Sequence, residues 1–271
     1  MNVRCDDVLD LKRLQLLMVL VELLGSGNAF LPSGRLHSFL AIDRHIIVDC
    51  PPTALASLRI AGISPADIDT ILITHVHGDH VFGFPSFLLE RKYISDRDGL
   101  NQLTIAGSSG VRERLTHLCD LAYPGSLTDL IGKINWVDIP KINGWKMERF
   151  EVLHDPEVDP HGWMMTHDDG WSMLHSGDSG PCEELWNRVG RCNFAVVEMG
   201  VPEWVPTEHH HKPSDITNLA NKFPQTKLVV THTFVDSDYT ILTKEVPDFP
   251  ENVIHGEDGM RFELDSEGRI L

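Results

Sequence analysis

Cations are scarce in this chain of 271 residues: 23 Lys and Arg stand against 40 Asp and Glu, a formal charge of -17. A field of that sign repels phosphate backbones, so non-specific nucleic-acid binding by the whole molecule is disfavoured, while a local cationic patch or bound metal ions would still admit a small anion. Cysteine is scarce too. Cys5, Cys50, Cys119, Cys182 and Cys192 are odd in number, scattered, and never spaced C-x-x-C. That argues against a disulfide framework and for buried small hydrophobes in a reducing cytoplasm. Long apolar runs are missing. The stretch 14–24 is interrupted by Gln15 and Glu22, lacks a small-x-small cleavage site, and is too short to span a bilayer. It reads as a core strand over 19–24 entering the loop Gly25-Ser26-Gly27-Asn28, with 1–17 as an extension outside the core fold. No internal repeat, low-complexity tract or long linker is present, so 18–271 reads as one domain.

Short Val- and Ile-rich runs alternate with helical patterns along the rest of the chain. Residues 38–42 and 45–49 predict a hairpin with Asp43-Arg44 near its turn. Residues 53–61 predict a helix between Pro51-Pro52 and Gly62. A buried strand over 68–74, an apolar helix over 81–92, a strand over 103–106 and a helix over 109–121 with Ser109 as N-cap follow. The second half alternates in the same way. Strands are predicted over 147–153, 162–166 and 171–176, with Asp168-Asp169-Gly170 as a hairpin turn. A strand over 194–199, a helix over 214–222 capped by Ser214, and a strand over 227–231 complete it. Periodicity alone leaves two packed sheets and a doubly wound sheet both open. The helix over 81–92 carries Phe82, Phe84, Phe87, Leu88 and Leu89, more apolar surface than one buried face needs. Core packing is one reading and a homodimer interface the other.

The chemistry concentrates where the strand over 68–74 ends. Within the next six residues come His75, His77, Asp79 and His80. At the end of a strand, His75 and His77 project in parallel, and a turn at Gly78 brings Asp79 and His80 around. Imidazole nitrogen with carboxylate oxygen suits zinc first, and also manganese or iron. Further ligands must come from elsewhere. His154, Asp178 and His232 each follow a predicted strand, the same placement as the first cluster. His161 is the alternative to His154, and Asp178 sits in Ser-Gly-Asp-Ser-Gly, which is also good turn chemistry.

The order His75-x-His77-x-Asp79-His80, then His154, Asp178 and His232, resembles the metallo-β-lactamase superfamily over nearly the whole chain from Val19. The run from Gly78 to Pro85 is similar to its ribonuclease Z and phosphodiesterase branch. Glu198, at the end of a strand, resembles that branch's catalytic Glu, and His211 its phosphate-contacting His. The resemblance implies a four-layer αββα sandwich with two divalent metal ions. His75, His77 and His154 would hold the first, Asp79, His80 and His232 the second, and Asp178 would bridge them. Cations sharing a carboxylate lower the pKa of a bridging water to give hydroxide at neutral pH. Asp79 would orient the nucleophile, and His211 with Glu198 would contact the phosphoryl group and protonate the leaving oxygen. A solvated surface loop is the other reading of Glu208-His209-His210-His211.

The function expected is therefore metal-dependent hydrolysis of a small phosphodiester such as a cyclic nucleotide. Ribonuclease Z carries a basic arm between the third and fourth motifs. Here the 24 positions from His154 to Asp178 contain neither Lys nor Arg, so tRNA is not expected as a partner and tRNA 3′ processing ranks as an alternative. Hydrolysis of a carboxylic ester, thioester or lactone is a second alternative. A metal-binding sensor module is the non-enzymatic one, set against the absence of room for a flavin domain. No membrane association is expected.

Overall fold

A computed structural model describes residues 18–31, 34–235 and 248–271. The expected extension over 1–17 lies outside the described residues. No helix among them is long and apolar enough to cross a membrane.

The first half of the chain builds a sheet from β1 (Val19–Gly25), β2 (Phe39–Ile42), β3 (Ile46–Val48), β4 (Thr70–Leu72), β5 (Thr104–Ala106) and β6 (Asn135–Val137). The second half builds another from β7 (Trp145–Glu151), β8 (His161–His167), β9 (Ser172–His175), β10 (Phe194–Glu198), β11 (Lys227–Thr231) and β12 (Val253–His255). The last strand, β13 (Met260–Leu264), crosses back to pair with β1, giving the order β13-β1-β2-β3-β4-β5-β6 beside β12-β11-β10-β9-β8-β7. Each half opens antiparallel and then turns parallel, at β3–β4 and at β9–β10. The β2–β3 hairpin turns at Asp43-Arg44, both at positive φ, the twist that a tight hairpin requires.

Strand alternation sorts the apolar residues into three layers. Val19, Val21 and Leu23 of β1 face Met165, Phe194 and Val196 across the sheet interface. Ala41, Ile47 and Ile71 point to the opposite face. There they meet α1 (Ala54–Ala61), α3 (Phe84–Glu90) and α4 (Ser109–Ala122). On the outside of the second sheet lie α6 (Glu183–Val189) and α7 (Pro213–Lys222). The short helices α2 (Gly78–Val81) and α5 (Thr128–Ile131) complete the set among the described residues. This is the expected αββα sandwich. Of the four cysteines described, Cys50, Cys119 and Cys192 are buried and Cys182 partly so, and all are free thiols.

The predicted helix over 81–92 is broken at Gly83. A Cβ there would lie 1.9 Å from the Pro51 carbonyl oxygen, so only glycine allows this approach. The break also disposes of the apolar surplus. Val81, Phe84, Phe87 and Leu88 enter the core, Leu89 is half-buried and Phe82 stays mostly exposed. The caps move as well. The helix expected from Ser214 starts at Pro213, and α4 is preceded by Ser108, whose side chain makes no cap bond.

Trp163 ties the sheets together where the metal motif begins. It is fully buried, and its indole N–H donates to the Ile73 carbonyl at 3.1 Å. Next to it, the His161 amide donates to Thr74 O. Trp163→Ala is expected to cost about 3–5 kcal/mol in a denaturant titration, as for other large core truncations.

Candidate metal centre

Parallel pairing of β3, β4 and β5 ends all three strands at one edge, and β9, β10 and β11 end facing it. The loops that follow carry the polar residues. His75, His77 and His154 bring one donor atom each to within 4.8 Å of one another, and Asp79, His80, Asp178 and His232 do the same. His77 Nδ1 lies 3.1 Å from both His75 Nε2 and His154 Nε2. His232 Nε2 is 3.2 Å from Asp79 and 3.3 Å from Asp178, while His80 Nε2 is 3.4 Å from each of those carboxylates. Tetrahedral ligation at a metal–nitrogen distance of about 2.0–2.1 Å separates ligand atoms by roughly 3.4 Å, so the spacing fits.

The outer partners of three of these histidines turn Nε2 toward the site. His80 Nδ1 donates to Asp49 at 2.8 Å, and His154 Nδ1 donates to the His209 carbonyl at 3.0 Å. Thr74 gives its hydroxyl proton to Asp49, leaving its oxygen to accept from His75 Nδ1 at 3.0 Å. Nε2 of His75, His80 and His154 is therefore turned inward, and His80 Nε2 is buried with no hydrogen-bond partner. Such a cluster calls for cations. The electrostatics agree. Burial opposes charge on His80, yet Asp178, Asp79 and Asp49 hold its pKa well above the usual value. His75 goes the other way: burial and its imidazole neighbours push it well below. Burial also works against the charge of Asp79 and Asp178, but the surrounding histidines keep both carboxyls below the usual range. His232 takes a left-handed backbone, φ 48°, at the end of β11, a strained conformation held at the site.

The residues predicted from sequence separate here. His161 pairs with Arg149 and the Asp159 carbonyl and belongs to neither donor group. His211 is fully buried: Nδ1 donates to Ser179 O at 2.6 Å and Nε2 accepts from the Trp186 indole at 3.1 Å. With both ring nitrogens used, His211 cannot meet a substrate. Its neighbour His210 lies among the metal-donor residues instead. His210 shares one donor group with His154 and Asp178, and another with Glu198 and His232. Its Nδ1 is 3.0 Å from Glu198 Oε1 and its ring stacks on His232. Glu198 also accepts the amides of Ser179, Gly200 and His211. Burial opposes the His210 charge, but this carboxylate raises its pKa to about 9. Consecutive residues in an extended loop point opposite ways, and the sequence marked the run of three histidines without marking which one faces in.

Asp49 is the other residue whose role escaped the sequence. It binds the Thr74 amide and hydroxyl and His80 Nδ1, all at 2.8 Å, and so orients two candidate ligands. Asp49→Ala is expected to weaken metal affinity about 10- to 100-fold in competition with a chelator.

Residues 44–233 match the family model of the beta-lactamase superfamily domain, and the chain belongs to that family. Among curated relatives, ribonuclease Z of Pyrobaculum aerophilum is 24% identical, over 79% of this chain and 86% of its own. A diphosphatase of the PhnP family aligns with a TM-score of 0.68 and 16% identity, over 92% of this chain and 98% of that one. The short form of human tRNase Z gives 0.67 and 18%, over 89% and 98%. These relatives overturn the exclusion of tRNA as a partner. The excess of acidic residues and the missing basic interval are not enough to exclude tRNA. Net charge sums the whole surface and omits any cations at the site, whereas a nucleic acid meets only the local field.

Proposed function

We propose that the chain hydrolyses phosphodiesters and that His210 is the group that meets the phosphoryl oxygens. The Glu198–His210 ion pair carries this reading: an imidazolium held among the metal-donor residues suits an anionic phosphoryl group far better than a neutral carbonyl. In this reading His75, His77 and His154 hold one divalent cation, Asp79, His80 and His232 a second, and Asp178 both, with zinc as the first metal to test. Bound there, the cations would polarise a phosphoryl oxygen and acidify water. Asp79, ionised despite burial because His80 and His232 face it, orients the attacking water. His210 donates from Nε2 to the phosphoryl group and passes that proton to the leaving oxygen, while Glu198 fixes its ring through Nδ1.

The test is to assay zinc-loaded protein on bis-p-nitrophenyl phosphate, a cyclic nucleotide, a 3′-extended tRNA precursor, and a set of carboxylic ester, thioester and lactone substrates. The relatives named ribonuclease Z and tRNase Z bring the tRNA precursor into the set, and the PhnP-family diphosphatase supports a small phosphorylated substrate. Phosphodiester turnover is expected. Turnover confined to the carbonyl substrates would overturn the reading.

A further inference from the structure

His37 has no part in the chemistry above, and its surroundings are unlike those of a histidine placed for packing. It lies in the loop between β1 and β2, only 7% exposed. Its neighbours tie that loop to the one carrying His232. Gly27 bonds to Leu36 and Ser38, Asn28 and Ser26 bond to Thr233, and Ser38 Oγ lies 3.0 Å from Thr231 Oγ1. On its other side stands Thr53, the residue before α1, where a hydroxyl ordinarily caps the helix at a gain of about 1 kcal/mol. Here that cap bond is not made. The hydroxyl turns instead to His37: Oγ1 accepts the His37 amide and lies 3.2 Å from Nδ1. A Thr53 hydroxyl proton given to Nδ1 would place the imidazole proton on Nε2, which has no hydrogen bond to any described residue. His211 shows the contrast, since a buried structural histidine uses both nitrogens. Burial, helped by His80 and His232 and opposed by Asp79, lowers the His37 pKa.

We infer that His37 is a substrate-binding residue, donating Nε2–H to an anionic phosphoryl oxygen from beside the loop that carries His232. This rests on the proposed function. The site would then grip the phosphoryl group between His210, oriented by Glu198, and His37, oriented by Thr53.

The experiment uses the zinc-loaded full chain and its His37→Phe, His37→Gln and Thr53→Val variants. Zinc content, affinity for inorganic phosphate by calorimetry, and kcat and KM on bis-p-nitrophenyl phosphate are measured for each. His37→Phe is expected to weaken phosphate binding and raise KM about 10- to 100-fold with zinc content unchanged, the size of one hydrogen bond to a charged group. His37→Gln, whose amide N–H reaches close to the former Nε2 position, recovers most of the loss. Thr53→Val shows a smaller loss in the same direction at unchanged stability. Native phosphate affinity in His37→Phe, or loss of zinc from it, overturns the assignment. Should that variant not fold, native affinity in Thr53→Val does so. A native protein that cleaves no phosphodiester overturns the proposed function instead, and the phosphate titration still decides the role of His37.

Discussion

Asp178→Ala is expected to abolish measurable turnover and to release metal from the protein. Its carboxylate reaches both donor groups: Oδ1 lies 3.4 Å from His80 Nε2 and Oδ2 3.3 Å from His232 Nε2 of one, and Oδ2 lies 3.9 Å from His75 Nε2 of the other. No other described residue stands between both sets in this way. In the proposed two-metal site its removal would take away the shared anion and leave only the imidazoles and Asp79 to hold the two cations. Metal catalysis of this kind supplies several kcal/mol of transition-state stabilisation, so losing it lowers kcat/KM by about 10³-fold or more. Elemental analysis beside kinetics checks both halves. A variant that retains two equivalents of metal would show that Asp178 is a turn residue only.

His210→Ala is expected to lower kcat about 10²- to 10⁴-fold, the range of a lost general acid, with metal content unchanged. The pH profile gives a sharper test. His210 is protonated below its raised pKa of about 9 and loses its proton as pH rises through that value, so activity falls on the alkaline side. Glu198→Gln removes the carboxylate that raises the pKa and leaves burial, which lowers it. The alkaline fall therefore moves to lower pH. The stability contributed by the same ion pair is fully present below the ordinary histidine pKa of about 6.5 and is lost as pH rises through about 9. His211→Ala is the control. It opens space beside Trp186 and lowers stability, but leaves metal content and the alkaline fall in place. An alkaline fall that moves with His211 and not with His210 would reverse the assignment.

Much of this protein is legible in its residues before any fold is known. The apolar runs and turn signals located most strands of both halves, because burial on a sheet leaves a local pattern. The cluster His75 to His80 announced metal chemistry, because three imidazoles and a carboxylate within six residues after a buried strand serve no packing purpose. His154, Asp178 and His232 were legible through a shared local feature, their place just after a strand. The sequence did not carry what depends on distant contacts. β13 lies beyond every motif and finds β1 only by antiparallel pairing across the chain, Val19 with Leu264. The apolar surplus of 81–92 went into the core because the chain kinks where Gly83 meets Pro51. Which histidine of the run 209–211 faces the site was settled by Ser179 and Trp186 drawing His211 inward and by Glu198 holding His210 out. Asp49 and Thr53 found their partners, His80 and His37, across 31 and 16 positions of sequence. Residue type records what a side chain can do. Which atom it turns toward is decided by neighbours that only the folded chain supplies.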